Sequence, residues 1–84
     1  MTISAVEAQA LARDVAFTED EMIVSLVDGR RIAVPLAWFP RLVDATRAQL
    51  ENWELLGDGE GIHWPDLDED VSVAGLLRGA KAAG

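Results

Sequence analysis

The chain has 84 residues, half of them hydrophobic, and its fifteen acidic against seven basic side chains leave a net charge of −8. One domain of this size buries only about 60–68% of the surface of its unfolded chain, and the absence of cysteine excludes a disulfide framework or thiolate metal site. The charge argues against sequence-independent nucleic-acid binding, which needs lysine and arginine on phosphates. The same field would attract a basic partner, but on charge alone the plainer reading, acidity that keeps the domain soluble, is favoured.

Met1–Val15 carries Glu7 and Asp14 and has no basic leader, and no apolar run approaches the roughly 20 residues of a membrane span, so a cytoplasmic protein is expected. Ser4 and Glu7 have the spacing of a capping box, which predicts a short helix to about Ala12. Val15–Phe17 reads as a strand, Glu19–Glu21 as a polar turn and Met22–Val27 as a second strand. Asp28-Gly29 predicts a tight type I′ hairpin returning through Arg31–Leu36, with Pro35 at a strand end or edge.

Trp38-Phe39-Pro40 turns the chain into a helix, with Pro40 in its first turn. Leu42, Val43, Thr46, Leu50 and Trp53 then form the inner face of one long amphipathic helix. Arg41, Asp44, Arg47 and Glu51 take its outer face, with Arg41–Asp44 and Asp44–Arg47 as ion pairs of a few tenths of a kcal/mol. Short strands at Glu54–Leu56 and Ile62–Trp64 flank a glycine-rich turn, Gly57–Gly61. The acidic run Asp66–Asp70 follows, and Ser72 is placed to cap a last helix from Val73 to about Gly79. The fold expected is α+β. A small antiparallel sheet of four to five short strands is covered by one amphipathic helix, with a short C-terminal helix and an N-terminal one, in a single domain over 1–84.

The stretches DGRRIAVPLAWFPRL and ENWELLGDGEGIHWPDLDEDVSVAGLL, with the Val15–Phe17 strand before them, resemble the bacterial domain of unknown function 2442 from about Ala12 to Gly79. The resemblance implies a small α+β fold and no catalytic mechanism. Members are similar to small partners in gene pairs of toxin–antitoxin type, and some phage-borne relatives look like inhibitors of CRISPR surveillance complexes. Ala74 stands where an acidic residue is common in the family, and the segment before Ala12 lies outside the shared pattern.

Asp66, Asp68 and Asp70 have the first three spacings of a calcium loop, but Val71 and Leu77 occupy the positions that need glycine and glutamate. No metal or cofactor is therefore expected. His63, the single histidine, sits among carboxylates that would raise its pKa. It has no serine or cysteine nearby in sequence, so a hydrogen-bonding tether for the acidic loop is favoured over a general base. Gly57–Gly61 lacks the lysine of a phosphate loop and carries Asp58 and Glu60 instead. Trp38, Trp53 and Trp64 are assigned to the core rather than to a base-stacking platform, since no basic groove surrounds them.

Between Glu54 and Asp70 stand seven carboxylates and no lysine or arginine. Helix-end stabilisation accounts for one or two of them. Asp58, Glu60, Asp66, Asp68, Glu69 and Asp70 are accordingly the candidate partner-binding residues. Alternate residues of an extended chain are about 6–7 Å apart, comparable to phosphate spacing. The leading expectation is a non-enzymatic protein, a monomer or weak homodimer, whose acidic face blocks a basic nucleic-acid-binding surface on a protein partner, as a CRISPR-effector inhibitor would. The alternative is an antitoxin-like or accessory subunit that pairs through an apolar face or edge strand.

Overall fold

The computed structural model describes residues 10–79. The expected N-terminal helix lies almost wholly outside the described residues, and its last residue, Ala12, instead opens a strand. Strands Ala12–Phe17 (β1), Glu21–Leu26 (β2) and Arg31–Pro35 (β3) make one antiparallel sheet in that order. Strands Glu54–Leu56 (β4), Gly61–Trp64 (β5) and Glu69–Ser72 (β6) make a second. Between the sheets the chain runs through a 3-10 turn, Leu36–Trp38, and two helices, Pro40–Val43 (α1) and Arg47–Glu51 (α2); Val73–Arg78 (α3) follows β6.

The class is α+β as expected, but the single sheet is corrected to two sheets of three strands. The reason lies in β6. Glu69-Asp70-Val71-Ser72 reads as an acidic loop in the sequence, yet it pairs with β5 through Ile62 opposite Val71. That pairing gives β4–β6 its own ladder.

Alternation builds the first core layer. In β2, Met22, Val24 and Leu26 are buried between Val34 of β3 and Val15 and Ala12 of β1. Ala12 and Val15 are three positions apart yet both inward, because the register shifts between Ala12 and Asp14, a bulge. The β2–β3 connection is not the expected type I′ turn, which would need positive φ at Asp28 as well as Gly29. Only Gly29 is left-handed, at φ 98°. The amide of Gly29 donates to Leu26 O and that of Leu26 to Arg30 O, a turn closed by a glycine bulge. Asp28 stabilises it by accepting from the Arg30 amide and guanidinium.

The expected long helix is two short ones. Helix α1 stops at Asp44, and Thr46 is extended (φ −75°, ψ 163°). Its hydroxyl accepts from the Gln49 amide while the Gln49 side chain accepts from the Thr46 amide. This capping box starts a new helix at Arg47, so Thr46 is a cap rather than an inner-face residue. Leu42 and Leu50 are buried as expected, but Val43 is 53% exposed, and Trp53 falls beyond the helix. Neither expected ion pair of Asp44 forms among the described residues: Arg47 lies 3.9 Å from Glu51, and Arg41 reaches another part of the chain.

An aromatic contact and a backbone amide join the two sheets. Trp64, fully buried, stands edge-on to Phe17 at 6.3 Å. The Ala12 amide donates to Gly59 O at 2.8 Å across the sheets, and within the second half the Val73 amide donates to Glu60 O at 3.0 Å. The glycine-rich turn is thus seated on the first residue of β1, and α3 starts from the same turn. Ser72 caps α3 by accepting from the Gly75 amide, and Gly79 ends it at φ 83°, as the sequence predicts.

Candidate functional site

The site is assembled on β5, from whose two ends the acidic residues hang. Asp58 and Glu60 sit in the β4–β5 turn, before Gly61; Asp66 and Asp68 sit in the β5–β6 turn, after Trp64. At about 3.3 Å per residue, the two turns are separated by the length of β5, so the six predicted residues form two groups rather than one row.

Within the second group, pleating divides the carboxylates. Ile62 and Trp64 point into the core, and Trp64 is paired with Glu69. Glu69 therefore lies on the inward side, its side chain only 12% exposed, with the Arg41 guanidinium 3.9 Å away. Asp70 is paired with His63 and points outward. Asp68 takes a left-handed backbone, φ 53°, that closes the β5–β6 turn. Its carbonyl accepts from Arg41 Nη1 at 2.6 Å. Asp66 accepts from the Asn52 side chain at 3.0 Å.

On the outward face the register aligns Glu54 of β4, His63 of β5 and Asp70 of β6. His63 Nδ1 is hydrogen-bonded to Asp70 Oδ1. That bond is the main reason the His63 pKa stands above 6.5; partial burial works against it, and the charges of Asp70, Glu54 and Asp68 add to it. The hydrogen bond to Asp70 is a contact of the kind expected of a tether, made to a residue of strand β6.

Two participants escaped the sequence reading. Glu54 was hidden by register: a five-residue turn sets Glu54 opposite Trp64, whereas β5 begins at Gly61 and sets it opposite His63. Arg41 was assigned to a local pair with Asp44, although α1 ends at Asp44 and leaves the guanidinium free to reach the β5–β6 turn. Trp64 is fully buried and Trp38 and Trp53 half-buried, as core assignments. Among the described residues no three histidine or carboxylate side chains are grouped to hold a metal ion, and no helix is long and apolar enough to cross a membrane.

Two linked three-stranded antiparallel sheets with short helices and an acidic, histidine-centred outer face define a small α+β protein. Residues 12–82 match the family described as protein of unknown function (DUF2442), and the chain belongs to it. A crystal structure of a protein of unknown function from Rhodospirillum rubrum is similar, with TM-score 0.77 and 32% identity over 89% of this chain and 93% of that one. The solution structure of an uncharacterized protein from Chromobacterium violaceum is similar as well, with TM-score 0.78 and 25% identity over 98% of this chain and 77% of that one. No curated protein matches at a comparable level.

Proposed function

We propose that this protein is a non-enzymatic binding protein whose outward acidic face engages a basic, nucleic-acid-binding surface on another protein. One observation carries the reading: Glu54, Asp68 and Asp70 are exposed around His63 with Asp66 exposed in the adjoining turn, and among the described residues no arginine side chain pairs with any of their carboxylates. Such a face focuses a negative field and steers a cationic partner to it. Asp58 and Glu60 extend the same charge to the other end of β5. Glu69, turned inward and held by Arg41, supports the turn instead of meeting the partner. The non-enzymatic part is favoured because the chain has no cysteine and Ser72, on β6, uses its Oγ to cap α3. Charge mimicry of phosphate by a phage-type inhibitor of a CRISPR effector is the concrete form of this reading.

The test is capture of host proteins on the immobilised full chain, with and without competing duplex DNA or RNA. Nucleic-acid-binding proteins are expected, released by the competitor and by moderate salt. They are expected to be lost when Asp58, Glu60, Asp66, Asp68 and Asp70 become asparagine or glutamine. Capture that survives both neutralisation and competitor overturns the reading. A second reading, an antitoxin-like or accessory subunit, is favoured by β4, an edge strand whose Leu55 and Leu56 are 36% and 40% exposed. It predicts a partner complex that persists in high salt and is lost on Leu55→Lys.

A further inference from the structure

A groove separate from the β5 carboxylates opens on the first sheet, between the β1–β2 turn and the segment leading into α1. Its floor is Pro35, Leu36, Ala37 and Val43, its rim Glu19 and Asp20, and it encloses about 360 Å³. That is at the small end of the range of roughly 300–1,000 Å³ typical of ligand clefts, with room for little more than a side chain or two.

The walls are preformed. The Leu36 amide donates to Asp20 O at 2.8 Å, tying one wall to the other. Thr18 Oγ1 accepts from the amides of Asp20 and Glu21, fixing the turn. Val43, more than half exposed, presents an aliphatic side chain that the core does not use. Arg41, two residues earlier on α1, reaches the β5–β6 turn. At about 100° per residue the two side chains leave the helix on nearly opposite sides. Among the described residues Glu19, Asp20 and Glu21 have no ion-pair partner, and no arginine lines the groove.

We infer that this groove docks a segment of a partner protein that seats one aliphatic side chain on Pro35, Leu36, Ala37 and Val43 and offers lysine or arginine to Glu19 and Asp20. The apolar floor supplies burial and the acidic rim supplies orientation, the division found at the centre and edge of protein interfaces. A purely apolar partner would leave the rim carboxylates without compensation, and a purely basic one would leave the floor wet.

The test uses the full chain, isotope-labelled, and a short blocked peptide of alternating lysine and leucine followed by amide NMR. Saturable shifts are expected at Glu19, Asp20, Leu36, Ala37 and Val43. Val43→Ser, at an exposed position that leaves the fold intact, should raise the Kd by roughly fivefold to tenfold, and Asp20→Asn should flatten its salt dependence. Equal shifts from a peptide with serine in place of leucine overturn the proposal, because charge alone then suffices. Shifts confined to Asp66–Asp70 overturn it while leaving the proposed acidic face standing. The same groove shifts appearing with protein concentration, without peptide, assign the groove to a second copy of this chain and overturn it as well.

Discussion

The indole Nε1 of Trp64 donates to the backbone carbonyl of Leu50 across 2.9 Å in the interior. This bond fastens α2 to the central strand of the second sheet, while the ring of Trp64 meets Phe17 of the first. One side chain thus joins three parts of the fold. Trp64→Phe keeps an aromatic ring but orphans a buried carbonyl, at a cost of about 1–3 kcal/mol. For a domain of this size each kcal/mol lowers the Tm by about 4–8 °C. Trp53→Phe, at a half-buried position, should cost less, and urea unfolding of the two variants checks the order. Equal losses would remove the special role of the Leu50 contact.

Gly59 is the narrowest joint between the sheets. It is buried, its φ is 110°, and a Cβ there would stand 2.3 Å from Ala12 O. That contact is to backbone, which is held in place by the Ala12 amide bond to Gly59 O. Gly59→Ala should therefore destabilise at or beyond the upper end of the usual range of about 0.5–3 kcal/mol for a single change. Gly29 is also left-handed, but nothing lies within 4 Å of its would-be Cβ. Gly29→Ala should cost only the conformational term, about 1–2 kcal/mol. Thermal melts of both variants separate close approach from backbone preference.

The strands of the first sheet were legible because β2 and β3 alternate and hairpin neighbours are adjacent in sequence. The helix between the sheets was not. Leu42 and Leu50 keep a helical spacing across Asp44–Thr46, and both do point inward, so the periodicity survives an interruption of the backbone. The signal for the break was nonetheless present, since Thr46 and Gln49 have capping-box spacing. At the site, the sequence located the acidic residues but not their faces. A one-residue difference in the start of β5 decides whether Glu54 joins His63 or Trp64. Composition cannot resolve that, nor can it show that adjacent Glu69 and Asp70 point to opposite sides of a strand carrying a single large apolar residue, Val71.

His63 and Asp70 should make β6 pH-sensitive. The folded-state pKa of His63 is raised above 6.5, chiefly by the Asp70 hydrogen bond. Their tie contributes fully below about pH 6.5 and is lost as pH climbs through the raised value. A ring-proton NMR titration should place the midpoint above 6.5. Asp70→Asn should lower that midpoint more than Glu54→Gln, since Glu54 acts through charge alone. If β6 amide exchange is the same on both sides of the His63 midpoint, the tie has no mechanical role.

Among the described residues Arg41 is the one lysine or arginine that contacts the acidic segment, and it acts on the backbone as much as on a carboxylate. Its Nη1 donates to Asp68 O at 2.6 Å, and its Nε faces Glu69 at 3.9 Å. The guanidinium is largely exposed, so solvent screening limits its worth to the order of 1 kcal/mol. Its local effect should be larger. With Arg41→Ala, Glu69 keeps its inward position without a counter-charge, and the left-handed Asp68 loses the bond that holds its carbonyl. Amides of the β5–β6 turn should then exchange faster while those of β2 are unchanged. Arg41→Lys should restore only part of the protection, because an ammonium does not reproduce the two-point geometry of a guanidinium. Adding Glu69→Gln to Arg41→Ala should recover some stability, since it removes the uncompensated carboxylate. Strict additivity of the two changes in urea unfolding would mean that Arg41 serves the Asp68 carbonyl alone.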